Sequence, residues 1–304
     1  MREAVIVAGS RTAVGKSKKG MTRNWRSDEM AAEVIKDLLR KAPNLDPEEI
    51  DDVIIGCAMP EGAQGLNFAR TIALRAGLPV STPGQTVNRF CSSGLQSIAM
   101  AAERIIANGA DVIIAGGAET MSMVPMTGYR VNPNPYMVEN MPEVYMGMGL
   151  TAEQVADEYE VTRQAQDEFA VNSHRKAAAA YERGAFKDEI VPLEIEEVFV
   201  GPNGPERITT VFDRDEHLRP DTTLEGLAKL RPVFKQGGSV TAGNSSPLSD
   251  GAAGVIVMER GKAEALGLTP ILRFVGFNVG GVRPDIMGVG PLVAVPRLLK
   301  RVGM

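Results

Sequence analysis

Cysteine and histidine are scarce in this 304-residue chain, with two of each: Cys57, Cys91, His174 and His217. A zinc cluster would need all four to converge from unrelated positions, and no spacing among them suggests a metal site. So few cysteines suit a reducing cytosol better than a disulfide-stapled secreted fold. Basic excess is missing too. The net charge is -5, which argues against nucleic acid as a partner while leaving room for a local phosphate-binding cluster. No apolar run is long enough to span a bilayer, and Met1 to Ala8 reads as an immediate strand without a basic leader. These absences give a cytoplasmic expectation with no membrane insertion. What remains is 44% hydrophobic and 23% charged residues, the balance of a globular enzyme large enough for two modest domains.

The first third alternates short apolar runs with helical periods. Ala4 to Ala8, Val53 to Ile55, Gln85 to Val87 and Val112 to Ala115 read as strands. Between them, Met30, Val34 and Leu38 form one helical stripe, and Leu95, Ile98, Ala102, Ile105 and Ile106 form another. Strands without polar alternation, separated by helices, predict an α/β fold with a mostly parallel sheet covered on both faces. From Ala118 to Gly243 the pattern loosens, and this middle block reads as an insertion between two core strands. Within it, Thr151 with Gln154 predicts a capping box, Thr162 opens a longer helix closed by Gly184, and Gly201 to Pro220 reads as loop. Ala252 to Met258 and Ile271 to Phe277 then read as strands, and Leu292 to Arg301 as a helix ending at Gly303.

Cys91 stands where a strand-to-turn segment becomes a helix. The first helical turn has backbone N–H groups without intrahelical partners and carries partial positive charge, which favours a thiolate over a thiol. Ser92, Ser93 and Gly94 are small enough to admit a substrate carbonyl. By position alone, Cys91 is either such a nucleophile or a small core residue. Cys57 ends a strand and reads as structural. His174, inside the long helix, reads as a surface residue, and His217 as a solvated loop residue. Gly288-Val289-Gly290 lacks the third glycine of a dinucleotide fingerprint and reads as a strand-to-helix turn. Arg219, Lys229, Arg231 and Lys235 form a basic cluster suited to phosphates, or a solvated surface. Seven of the 15 methionines fall between Met121 and Met148, as the lining of an acyl tunnel or as core filling.

Asn88-Arg89-Phe90-Cys91-Ser92-Ser93-Gly94-Leu95-Gln96 resembles the nucleophile motif of thiolases. Further landmarks resemble that family in its order: Ala4 to Ala8 with Arg11-Thr12, Gly116-Gly117-Ala118-Glu119, Met148 to Glu153, Leu230-Arg231-Pro232, Thr241 to Ser246, and Asp250-Gly251. The resemblance covers the whole chain. It implies a layered fold of two βαβαβαββ halves with a loop domain inserted in the first. In this sequence that gives an N-terminal half over residues 1–118 completed by 250–270, a CoA-binding loop domain over 119–249, and the start of the second half over 271–304. The implied reaction is thiolysis of a 3-ketoacyl-CoA, or the reverse Claisen condensation, through an acyl-Cys91 intermediate. It also implies that Ala242 and Ser246 contact the pantetheine arm, that Met148 lines the acyl pocket, and that Arg219 lies near the adenosine-phosphate end. Coenzyme A is then a substrate, and no cofactor is expected. Cys91 to Gln96, and Gly147 where the biosynthetic type tends to have histidine, look closer to the degradative, fatty-acid type.

The family also carries an Asn-Glu-Ala-Phe-type segment, a Gly-His-Pro segment and a late cysteine in a glycine-rich segment. None occurs here. The expectation is therefore a truncated or split thiolase, forming a homodimer or tetramer, with a second chain as possible source of the missing groups. The alternatives are a non-catalytic CoA-binding or assembly subunit, and a ketoacyl synthase of the same fold, against which Asn244-Ser245-Ser246 weighs.

Overall fold

A computed structural model describes residues 2–201 and 204–304. In chain order its strands are β1 (Ala4–Thr12), β2 (Gly15–Lys16), β3 (Asp52–Gly56), β4 (Gly84–Val87), β5 (Val112–Thr120), β6 (Ile190–Val191), β7 (Leu193–Gly201), β8 (Gly204–Phe212), β9 (Ser249–Glu259) and β10 (Leu272–Arg273). The α-helices are α1 (Ser27–Lys41), α2 (Phe68–Arg75), α3 (Ser93–Ile106), α4 (Pro135–Asn140), α5 (Met148–Glu158), α6 (Arg163–Glu182), α7 (Leu224–Ala228), α8 (Arg260–Ala265) and α9 (Gly290–Val302). The chain divides into two compact units. The first gathers Met1–Arg130, Phe186–His217 and Leu248–Phe274, and the second Val131–Ala185, Leu218–Pro247 and Val275–Met304.

The first unit is built on a sheet ordered β10-β1-β9-β5-β3-β4. β3 pairs in parallel with both β4 and β5, and these strands are linked through α2 and α3, as crossover connections require. β9 departs from the parallel expectation. It runs antiparallel between β1 and β5, with Val112 opposite Met258 and Ala4 opposite Glu259. Because β5 and β9 are neighbours, the chain between them leaves and returns to adjacent places, but it is not one separate block: Phe186–His217 folds with the first unit.

Side chains alternate across the strands, so each face collects its own helices. Ile54, Ile113, Ala115 and Val257 pack with Ala101, Ala102 and Ile105 of α3. On the other face Val34 and Leu38 of α1 close over Gly254, where a Cβ would lie 3.3 Å and 3.2 Å from their methyl groups. α2 packs beside α1 and against β3 and β4. The strand interiors are wholly buried, which is why they read as unbroken apolar runs.

Several local expectations change. The stretch expected as loop after Gly201 contains β8, which pairs with β7 from Leu193–Phe212 to Gly201–Gly204; Pro202 and Asn203 lie outside the described residues. This hairpin belongs to the first unit, tied there by an Arg23–Glu197 ion pair. Thr151 is not an N-cap: α5 begins at Met148 behind Gly147, and the Thr151 hydroxyl donates back to the Met148 carbonyl. The strand expected over Ile271 to Phe277 shrinks to Leu272–Arg273, paired with Val5 and Ile6. Gly288-Val289-Gly290 joins a 3-10 turn to α9 instead of following a strand. Thr162 does cap α6, accepting from the Ala165 N–H, and Gly303 ends α9 in the left-handed conformation.

Candidate active site

Cys91 lies in a single 3-10 turn, Phe90–Ser92, between the end of β4 and the start of α3. It is exposed, whereas Cys57, one residue past the end of β3, is buried. Three glycines let the helix start sit against the strand ends. A Cβ on Gly56 would fall 2.4 Å from the Ser93 carbonyl carbon, and one on Gly117 would fall 3.4 Å from Gly94 Cα. The turn itself is strained: Phe90 has φ of 46°, a left-handed conformation costing about 1–3 kcal/mol for a bulky side chain.

Side chains hold that strain. The Phe90 N–H donates to Asn88 Oδ1 at 2.8 Å, and the Phe90 carbonyl accepts from Ser93 Oγ at 2.6 Å. Ser93 Oγ also accepts the Arg89 N–H at 2.8 Å. The Ser92 hydroxyl donates backward to the Arg89 carbonyl and does not cap α3. The first turn of α3 therefore has no side-chain cap from Ser92, and the positive end of the helix begins two residues after Cys91.

The strand ends behind the turn form a buried polar network. Glu119, near the end of β5, accepts the Ala58 N–H at 2.6 Å and Gln64 Nε2 at 2.5 Å. Fully buried Gln64 accepts in turn from the Ser27 hydroxyl and the Thr120 N–H. Burial pushes the Cys57 thiol up to about 12, and the Glu119 carboxylate 3.7 Å from its sulfur acts the same way. A thiol so held stays neutral and unreactive, in keeping with a structural reading of Cys57.

The other four expected site residues, Met148, Arg219, Ala242 and Ser246, all belong to the second unit and all are exposed. Two buried carboxylates shape the segments that carry them. Glu153 on α5 accepts the Ser239 and Val240 N–H groups. Asp167 on α6 accepts from Asn244 Nδ2 at 2.9 Å, while Asn244 Oδ1 takes the Thr241 N–H at 2.7 Å. The loop from Thr241 to Ser246 is thus folded on itself, with Ala242 and Ser246 on its outside. Within the basic cluster, Lys235 is engaged by Asp157.

Both histidines are more engaged than the sequence suggests. Nδ1 of half-buried His174 accepts the Arg219 N–H at 3.3 Å, across 45 residues that no local pattern spans. His217 is half-buried and not a free loop residue: its Nε2 lies 3.1 Å from Ser249 Oγ, and burial pulls its imidazolium below the usual range. Sequence reasoning also missed Asn88 and Glu119 as partners of the turn, because the bonds that link them run through the Ala58 backbone. An apolar cavity of about 430 Å³ flanks α3 at Gly94 and Ile98, and Cys91 does not line it. Among the described residues, no group of three or more His, Cys, Asp or Glu gathers as for a metal ion, and no helix is long and apolar enough to cross a membrane.

An exposed cysteine on a strained turn, at the carboxyl ends of parallel strands and the head of a helix, defines an α/β fold built to present a thiol. The family model described as the thiolase N-terminal domain matches residues 4–261, and the chain belongs to the thiolase family of acyltransferases. A 3-ketoacyl-CoA thiolase of Bacillus subtilis (strain 168) is 54% identical over 305 aligned residues, covering 100% of this chain and 78% of the relative. The peroxisomal 3-ketoacyl-CoA thiolase 1 of Arabidopsis thaliana is 45% identical, over 99% of this chain and 68% of its own. The crystal structure of the Bacillus anthracis acetyl-CoA acetyltransferase superposes with a TM-score of 0.87 at 39% identity, covering 100% of this chain and 77% of that one. These relatives are enzymes by name, and the non-catalytic alternative is not favoured.

Proposed function

We propose that this chain carries the nucleophile of a 3-ketoacyl-CoA thiolase, with Cys91 forming the acyl-enzyme. In thiolysis the Cys91 thiolate adds to the 3-keto carbon, and the C2–C3 bond breaks. Acetyl-CoA then leaves as its enolate and takes up a proton. A second CoA thiol attacks the Cys91 thioester, and the shortened acyl-CoA departs with the thiolate restored. The observation that carries this reading is the exposure of Cys91 on a turn whose backbone is fixed by Asn88 and Ser93. The match to enzymes named 3-ketoacyl-CoA thiolase supports the substrate class.

The second unit is our candidate for the CoA site. Met148, Arg219, Ala242 and Ser246 lie on its surface, and Glu153 and Asp167 fix the loop bearing two of them. The acyl-CoA and CoA are substrates in this reading, with no resident cofactor. A homo-oligomer is also proposed: β4 ends the sheet, and among the described strands it pairs only with β3, leaving an edge that a second copy could extend. A cytoplasmic location remains part of the proposal.

The test is to mix the protein with a long-chain 3-ketoacyl-CoA or with acetoacetyl-CoA, quench in acid, and map acylated peptides. Acylation on Cys91, faster with the longer chain, is the expected result. Equal or faster acylation by acetoacetyl-CoA would overturn the degradative reading.

A further inference from the structure

We propose that Asn88 is a positioning residue for the nucleophile, suspending the strained Phe90 turn from the ends of β3 and β5; this rests on Cys91 being the nucleophile. Both arms of the Asn88 amide are used. Its Oδ1 accepts the Phe90 N–H at 2.8 Å, and its Nδ2 donates to the Ala58 carbonyl at 3.0 Å. The Ala58 N–H in turn donates to Glu119 Oε2 at 2.6 Å, and Glu119 is gripped by Gln64, a side chain with no exposed surface. The chain of bonds therefore runs from the rigid interior of the sheet, through one exposed amide, to the Arg89–Phe90 peptide on the N-terminal side of the strained residue that precedes Cys91.

The location of the strain makes this more than a turn preference. A phenylalanine at φ of 46° stays in the left-handed region only while its surroundings hold it there. Ser93 holds its carbonyl side from α3, and Asn88 holds its N–H side from the sheet. Releasing the Asn88 side lets Phe90 relax to an ordinary conformation. The peptide plane joining it to Cys91 then turns, and the thiol moves relative to the N–H groups of α3. A side chain that only forms a turn would affect stability. A positioning residue also changes the rate at which the thiol attacks.

The experiment follows acetyl transfer from acetyl-CoA to residue 91 by mass spectrometry. In that step the Cys91 thiolate displaces the CoA thiolate from the acetyl carbon, so atoms and charge balance. Asn88→Ala is compared with Asn67→Ala. Asn67 caps α2 through the Arg70 N–H, bonds the Gly84 carbonyl and accepts from the Thr86 hydroxyl, so it ties a backbone N–H to a strand as Asn88 does without touching the Cys91 turn. Far-ultraviolet circular dichroism establishes that each variant is folded at the assay temperature. The expected result is a loss of tenfold or more for Asn88→Ala and a change within about twofold for Asn67→Ala. Asn88→Asp keeps the acceptor for Phe90 and loses the donor to Ala58, so it should lie between wild type and Asn88→Ala, and it decides the matter if the alanine variant does not fold. Wild-type rates in Asn88→Ala or, if that variant is unfolded, in Asn88→Asp would overturn the proposal, as would an equal loss in Asn67→Ala. Absence of any acetyl group on residue 91 of the wild type would instead remove the nucleophile reading on which the proposal stands.

Discussion

A titratable side chain takes its character from what surrounds it, and His217 shows this where the sequence could not. Burial lowers its proton affinity first, and the Lys16 charge adds to that; a backbone bond to Gly15 and the carboxylates of Glu216 and Asp215 oppose. Folded His217 therefore binds its proton less readily than the unfolded residue with its ordinary value of 6.5. As pH falls through 6.5 toward the lower folded value, the unfolded state takes up the extra proton and stability is lost; above that window it is fully present. Thermal unfolding of wild type and His217→Gln between about pH 7 and about pH 5 should show the wild type losing more stability on acidification. Parallel curves would contradict the assignment. The strand-to-helix junction that carries Cys91 was legible because the residues that build it are contiguous from Val87 to Gln96. His217 was not, because its partner Ser249 lies 32 residues away on β9.

At the scale of elements, legibility followed burial. α1 and α3 present one apolar stripe each, and β3 and β5 are apolar throughout, so period and composition agree with the structure. β8 escaped because its apolar residues do not alternate cleanly: Ile208 and Val211 fall on opposite faces, and Pro205 to Val211 are all exposed. Thr151 misled because a threonine inside a helix can bond its own preceding turn as readily as it caps one. The contact between β3 and α3 is a different kind of feature, a close approach that only glycine permits. Gly56→Ala would place a methyl group 2.4 Å from the Ser93 carbonyl carbon and 2.6 Å from the Gly94 nitrogen, backbone that cannot yield without moving the Cys91 turn. The expected outcome is a loss of about 1–3 kcal/mol in urea unfolding together with slower acetylation of Cys91. Full stability and full reactivity in that variant would show that β3 and α3 approach less closely than 2.4 Å of Cβ clearance implies.

Across the whole molecule, the insertion between β5 and β9 must leave and rejoin the sheet without fraying it. Asp250, at the start of β9 and almost completely buried, performs that closure. It accepts the Ser122 N–H at 2.8 Å as well as the hydroxyls of Ser122, Thr120 and Thr22, joining the point where the chain departs to the point where it returns. Arg11 fixes the second passage of the chain in the same unit, bonding Asp215 and Glu189 and stacking 5.3 Å over Phe186. Neither clasp can be read from local pattern, since each joins residues more than a hundred positions apart. Asp250→Ala leaves those buried donors without their acceptor, and equilibrium urea unfolding should register a loss of about 3–5 kcal/mol. A loss under about 1 kcal/mol would mean that the insertion closes without it.

Thiolase chemistry in this chain depends on Cys91 Sγ being the atom that acyl groups reach. Its most direct test is site-mapped acetylation of the intact chain by acetyl-CoA, wild type beside Cys91→Ala. One acetyl group should appear on Cys91 and none on Cys57, whose thiol is buried and held neutral. Label retained by Cys91→Ala, or found on Cys57, would contradict it.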